Sequence, residues 1–336
     1  MPKFVSDGQL PIFDRLKALG VSPLGAVLLV VLALFPLVVQ DEYLLRLLIS
    51  SMIFGSLAMA FDFTAGFINI VNFGYAAFWG LGAYTSGLLA VKLGLTPWLG
   101  IFAGALIAGI VGLGLGILTL RLAGIFASCM AWFVALALMA VASNWVTLTR
   151  GNSGLSVPLF FDSPENLPYY YVVFALTIIT YAVLTLVTRS RVGLAFKAIG
   201  QNLPAAQASG INPTKYRIIN FTLSCTLAGL IGGFYAHFVG ILGPNVMHTS
   251  HTIEVMAIAY VGGRGSIWGG LVSALILIPL MEYLKPFMEL RLIMYGALLV
   301  FVMLFYPQGL SGIYYGVKEF FRRKIAARGM DAPHHN

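Results

Sequence analysis

The sequence predicts an all-α, polytopic transmembrane helical bundle of about ten spans, and three observations carry that prediction. Hydrophobic types make up 59% of the 336 residues and charged types 10%. An ordinary soluble domain has roughly 45–50% apolar and about 25% charged residues. With 20 Lys and Arg and 12 Asp and Glu, the chain cannot coat a soluble surface of its size, and it is too hydrophobic to be disordered. The apolar residues also form continuous runs, as at 27–39 and 100–120, without the alternation of a barrel strand. In hydrocarbon the peptide groups must be satisfied internally, so runs of this kind are helices. The 37 glycines suit close helix contact in lipid. The net charge of +8 lies outside the apolar runs and makes no nucleic-acid surface.

In chain order the predicted spans are 22–39, 44–62, 66–91, 98–120, 124–148, 169–188, 218–240, 246–262, 267–285 and 291–306. The third opens with Gly66, Asn69, Asn72 and Gly74, and the eighth runs into Gly262-Gly263-Arg264-Gly265. Both are expected to be broken or re-entrant, near 66–74 and 253–266, which lowers the count to eight or nine if they do not cross. The similar pieces Phe78-Trp79-Gly80-Leu81-Gly82 and Ile267-Trp268-Gly269-Gly270-Leu271 hint at two related halves, as in many transporters.

Residues 1–21 form an N-terminal tail, 22–306 the transmembrane domain and 307–336 a basic C-terminal tail. Orientation follows from Lys and Arg in the short connections. Segment 189–217 holds Arg189, Arg191, Lys197, Lys215 and Arg217 with no acid. Both tails are also enriched in Lys and Arg, through Lys3, Arg15 and Lys17 and through Lys318, Arg322, Arg323, Lys324 and Arg328. All three are expected in the cytoplasm, where they also meet anionic lipid. Asp41-Glu42 and the loop 149–168, with Asp162 and Glu165, fall on the periplasmic side. The opening residues lack the pattern of a cleavable signal. Cys129 and Cys225 read as small interior residues.

Segment 189–217 is ordered rather than a linker. Residues 193–199 can form a short helix. Pro204 suits the first turn of a second helix, 204–209. Gly210 stops it, and Asn212-Pro213 turns the chain. Small side chains on an exposed helix suit docking into a groove of another protein.

The chain carries no phosphate-binding loop, no nucleophile elbow and no zinc-protease motif, so no catalytic residue is expected. His248 and His251 have a loose metal-like spacing without a matching ligand set and read as loop histidines, with no metal expected. Charges within the spans are few: Arg46, Asp62 and Glu254. Ion-driven carriers keep an ionisable group near the midplane; none is clearly placed there, which puts the energy source outside the chain. Asn69, Asn72, Tyr75 and Tyr84, with Glu254 and Tyr260, are candidates to line a substrate path. Polar groups in this setting face protein or a water-filled path, so helix–helix contact is the other reading. For Glu254 it is a helix N-terminal acid.

Four stretches in order resemble the M-type permease subunit of bacterial branched-chain amino-acid ABC importers. They are 66–84 (GFINIVNFGYAAFWGLGAY), 148–158 (LTRGNSGLSVP), 193–210 (GLAFKAIGQNLPAAQASG) with the helix after it, and 261–269 (VGGRGSIWG). The resemblance implies import of branched-chain or related hydrophobic amino acids across the inner membrane by ATP-driven alternating access. It also implies a sister H-type permease, two ATPase subunits that use ATP and Mg, and a periplasmic substrate-binding protein. By resemblance, 193–210 is the coupling segment, with Lys197, Ala198, Gly200, Gln201, Asn202, Pro204, Ala205, Ala206, Ala208 and Gly210 against an ATPase. The family's Arg-x-x-Glu before the Ala pair is replaced here by neutral residues at 200–204, and Asn72-Phe73-Gly74-Tyr75 replaces its S-L-G-H. The family also includes importers of urea, short amides and other small polar solutes. The rivals of another class are a stand-alone channel or secondary transporter and an integral membrane enzyme.

The topology has a direct test. A cysteine introduced at Ser209 should react with a membrane-impermeant thiol reagent only from the cytoplasmic side, and one at Ser163 only from outside. Reversed labelling would overturn both the orientation and the docking role of 193–210.

Overall fold

The computed structural model describes residues 23–38, 41–120, 122, 124–161, 165–284, 290–306 and 309–312. The predicted tails at 1–21 and, apart from 309–312, at 307–336 lie outside the described residues, as does Ser163. The helices are α1 (Pro23–Val38), α2 (Glu42–Ala65), α3 (Tyr75–Leu93), α4 (Pro97–Thr119), α5 (Ile125–Asn144), α6 (Val146–Thr149), α7 (Leu167–Arg189), α8 (Arg191–Gln201), α9 (Leu203–Ala208), α10 (Pro213–Val239), α11 (Thr249–Gly262), α12 (Ile267–Tyr283) and α13 (Leu290–Phe305). Each of the ten predicted apolar runs holds one of these helices.

Five of them, α2, α4, α5, α7 and α10, are individually long and apolar enough to cross a membrane. The pair α11–α12 makes a sixth if it is one broken span, being bent by 113° at its junction. The predicted break at 253–266 is therefore present. So is the one at 66–74, where the chain is non-helical and Asn69 has φ 58°. The third predicted span begins at Tyr75 rather than residue 66, after a Gly- and Asn-rich stretch that cannot hold a helix. Helix α3 carries Tyr, Thr, Ser and Gly where a lipid-facing helix needs Leu, and most of it is buried by other helices. Helix α5 instead turns Phe126, Phe133 and Val141 outward.

Local sequence explains where the helices start and stop. Asp41 caps α2, its carboxylate accepting from Tyr43 N at 2.8 Å. Pro97, Pro168 and Pro213 occupy first turns. Gly94 and Gly240 close α3 and α10 in the left-handed conformation, at φ 63° and 76°.

Helix α10 lies along α3 and α4, and α2 packs on α12, α7 and α10. Glycine sets the closest approaches. At the crossing of α3, α4 and α10, a Cβ on Gly82 would strike the backbone of Gly229, and one on Gly104 would strike the Gly82 carbonyl at 2.6 Å. Gly55 and Gly270 play the same part between α2 and α12. Such contacts suit lipid, where close van der Waals packing replaces the hydrophobic drive between helices.

At one end of the bundle Glu42 accepts from Asn166 Nδ2 at 2.6 Å. There the two-residue strands β1 (Leu155–Ser156) and β2 (Ile241–Leu242) pair antiparallel, Leu155 opposite Leu242. Beneath them His237 Nδ1 lies 2.7 Å from Pro158 O and Nε2 2.8 Å from Ser86 Oγ. A carbonyl only accepts, so Nδ1 carries the proton and, in the neutral ring, Nε2 accepts from the serine. Helices α8 and α9 stand at the other end.

The glycine crossing predicts a sharp contrast. Gly82→Val should lower stability by about 1–3 kcal/mol or abolish folding, measured by thermal unfolding in detergent. Gly114→Val, where an added Cβ meets no heavy atom within 4 Å, should leave the transition within the scatter of the wild type.

Candidate functional site

The helix pair α8–α9 has a buried face and a free one. Ser190 caps α8, accepting from Val192 N at 3.2 Å. Phe196 is fully buried, its ring 5.3 Å from Phe63 and 6.1 Å from Tyr216. Lys197 Nζ lies 5.8 Å from the Phe67 ring centroid. A Cβ at Gly200 would overlap the Phe67 carbonyl, so α8 seats against the chain just after α2 only because residue 200 has no side chain. Asn202 caps α9 by accepting from Ala205 N at 3.0 Å. Gly210 ends it at φ 81°, and Ile211 N donates to Ala206 O at 3.0 Å. Asn212 then caps α10 through Lys215 N at 3.3 Å.

The predicted coupling residues divide by burial. Lys197, Gln201, Asn202, Pro204, Ala205, Ala208 and Gly210 are exposed, and Ala198 and Gly200 are half-buried. Ala206 departs from expectation: it is 3% exposed and faces inward. A six-residue helix resting on the bundle turns one residue per turn inward, and in α9 that residue is Ala206. The free small face is Pro204, Ala205 and Ala208.

Beside this pair the two broken segments meet. Gly265 N donates to the buried Asp62 carboxylate at 3.1 Å. Arg264 Nη2 donates to Asn69 Oδ1 at 2.6 Å and to Ala65 O at 3.3 Å, and its guanidinium lies 5.5 Å from the Tyr260 ring centroid. Phe67, Asn69, Lys197, Gln201 and Arg264 line an open cavity of about 400 Å³. At the far end of the break, Asn72 Oδ1 accepts from Gly74 N at 3.0 Å, and Thr252 Oγ1 of α11 accepts from Ala76 N at 3.0 Å. The chain from Asn69 to Ala76 is thus tied to both ends of α11.

The predicted pathway residues do not form one lining. Asn72, Tyr75 and Tyr84 are buried within the chain, and Tyr75 OH donates to Ser224 O at 3.4 Å. Asn69 and Tyr260 gather around Arg264 at the α8–α9 end. Glu254 lies elsewhere, its Oε2 3.0 Å from His251 Nδ1. The His251 ring is 5.5 Å from Trp79 and 6.3 Å from Phe54, and Trp79 is 4.6 Å from Tyr235. His248 caps α11, its Nδ1 accepting from Ser250 N at 3.3 Å. The sequence reading missed Asp62 and Arg264. The signal was a lone carboxylate ending one apolar run and a lone arginine in the glycine turn ending another, which tertiary structure brings to neighbouring positions.

Broken helices tied to one another, beside a helix pair with a free small-residue face, define a polytopic membrane permease. The family model described as branched-chain amino acid transport system / permease component matches residues 43–303, and the chain belongs to that family. It is 26% identical over 288 residues to the high-affinity branched-chain amino acid transport system permease protein LivM of Salmonella typhimurium, covering 77% of this chain and 68% of the relative. It is 25% identical over 299 residues to LivH of Escherichia coli strain K12, covering 81% and 97%. It is 28% identical over 277 residues to the autoinducer 2 import system permease protein LsrC of Yersinia enterocolitica, covering 75% and 73%. No solved structure matches. The chain is thus a transporter permease and not an enzyme.

The tie between α11 and the start of α3 rests on one hydroxyl. Thr252→Val keeps the shape but leaves the buried Ala76 N–H without its acceptor, and should lower stability by about 1–2 kcal/mol. Thr252→Ser, which keeps the hydroxyl, should recover most of the loss in the same thermal assay.

Proposed function

We propose that this chain is the M-type permease subunit of a bacterial ABC importer that moves branched-chain or related hydrophobic amino acids across the inner membrane. Both termini lie in the cytoplasm in this reading. A sister H-type permease completes the path, two ATPase subunits supply ATP hydrolysis with Mg, and a periplasmic binding protein delivers the solute. The single observation that carries the reading is α8–α9: one face is locked to the bundle by Phe196 and Gly200, and the other presents Pro204, Ala205 and Ala208 to a partner.

The contacts suggest how work passes inward. A load on α9 is transmitted by α8 to Phe63 and Phe67, which flank the start of the 66–74 break. Asn69 passes it to Arg264 at the tip of the α11–α12 bend. Helix α11 carries Glu254 and His251, so a tilt of α11 moves the charged group that faces Trp79 and Tyr235. ATP-driven closure of the partners thereby changes access to the interior. The replacement at 72–75 and the likeness to the autoinducer 2 permease favour a second reading in the same family, import of another small polar solute such as urea or a short amide.

The docking role is tested by charge placed on the free face. Ala205→Glu or Ala208→Glu should leave the permease stable but reduce co-purification of its ATPases at least tenfold, because an unpaired carboxylate at an interface opposes binding by about 2–5 kcal/mol. Uptake should fall in parallel. Ala206→Glu should instead destabilise the permease itself. Retention of the ATPases with normal uptake in both exposed variants would leave α8–α9 as a connection only.

A further inference from the structure

A second polar site lies at the end of the bundle opposite α8–α9, and neither the coupling path nor the predicted pathway residues include it. Between α2 and α12 there is a half-open cleft of about 140 Å³, lined by Tyr43, Arg46, Leu47, Ser50, Ile278 and Glu282. Among the described residues it holds one cation and one anion, and Leu47 and Ile278 provide apolar wall. Tyr43 OH donates to Glu282 Oε1 at 3.4 Å, holding the carboxylate toward α2. The Arg46 guanidinium lies 5.9 Å from the ring centroid of Phe238 on α10, so the same side chain borders both the cleft and the aromatic interior.

A charge of each sign and an apolar wall in one small cleft match one class of solute, a zwitterion with an aliphatic side chain. Arg46, Ser50 and Phe54 recur every fourth residue, which puts them on one face of α2. Phe54 reaches Trp79 at 5.8 Å and His251 at 6.3 Å. That face leads from the cleft to the Glu254–His251 pair.

We propose that this cleft is the receiving site for the transported amino acid, with Arg46 holding its α-carboxylate and Glu282 its α-ammonium while Leu47 and Ile278 contact the side chain. Planar guanidinium and carboxylate match in two parallel hydrogen bonds, which selects against solutes lacking that end. The inference rests on the amino-acid reading given above. It assigns to Arg46 and Glu282 the discrimination of the two charged ends, a task that interfacial anchoring of the helix ends does not perform.

The test uses the importer assembled from both permeases and its ATPases in lipid nanodiscs, without the binding protein. Saturation-transfer NMR would measure binding of L-leucine, 4-methylpentanoate (no ammonium) and 3-methylbutylamine (no carboxylate). Arg46→Gln should weaken leucine and 4-methylpentanoate at least tenfold and leave 3-methylbutylamine unchanged. Glu282→Gln should do the reverse, weakening leucine and 3-methylbutylamine only. Arg46→Lys should restore part of the carboxylate binding. This crossed pattern supports the site, since a structural role would affect all three solutes alike. Equal losses for all three, or no loss in either variant, would overturn it. Leucine uptake by the wild-type complex with its binding protein is scored separately. Its absence would remove the amino-acid reading, whereas normal leucine uptake by both variants would remove only the cleft.

Discussion

The fold depends on how two interrupted helices satisfy their own backbones. Within a bilayer a broken helix exposes peptide groups that lipid cannot bond, so a break survives only where protein supplies partners. Here each break is held by local bonds and by the helix ends that flank the other. Arg264 bonds the Asn69 side chain and the Ala65 carbonyl, Thr252 of α11 accepts from Ala76 in the first turn of α3, and the Asp62 carboxylate at the end of α2 accepts from Gly265. The bend between α11 and α12, the position of α3 and the seat of α8 all follow from this exchange, because each abuts one of the two segments.

Glycine makes the exchange sterically possible. A Cβ on Gly66 would strike Gly265 N and the Asp62 carboxylate, and one on Gly262 would overlap Gly269 across the α11–α12 turn. The same device lets α3 run inside the bundle at the Gly82–Gly104–Gly229 crossing. Helix α3 can therefore carry Tyr, Thr, Ser and Gly without violating the rule that lipid-facing surface is apolar. Two of its polar groups bond a neighbouring helix, Ser86 to His237 and Tyr75 to Ser224.

This explains what was legible in the sequence. Long apolar runs needed no tertiary information to be helices, and all ten runs hold one. The breaks were legible because Gly, Asn and a single Arg interrupt otherwise apolar stretches. The turn chemistry of 189–217 was legible in part, since Pro204, Gly210 and Asn212-Pro213 act locally as start, stop and turn, whereas the caps Ser190 and Asn202 were found only in the structure. What was not legible is which polar side chains meet. Tyr75 and Asp62 both signal a surface that does not face lipid, but only the fold shows that one bonds Ser224 and the other Gly265. The inward turn of Ala206 was hidden because three alanines in a row of six look equivalent until the helix is laid on the bundle.

Arg264 and Glu254 stand near opposite ends of α11, and that arrangement carries a mechanical consequence. Arg264 sits where α11 ends, one residue past its glycine stop, and bonds a segment on which α8 rests. Glu254 sits about three turns back along the same helix, beside His251 and the Trp79–Tyr235 pair. A rigid α11 ties these positions together, because a helix transmits tilt along its axis far better than a loop does. The first turn of α11 is itself fixed through Thr252 to Ala76. Movement imposed at Arg264 is thereby converted to rotation about that tie, and the side chains between the two points must move with it. Glu254 and Tyr260 both lie between them, one near the interior aromatic group and the other under the Arg264 guanidinium. From Arg264 inward, the physical link to the aromatic interior is therefore one short helix held at both ends.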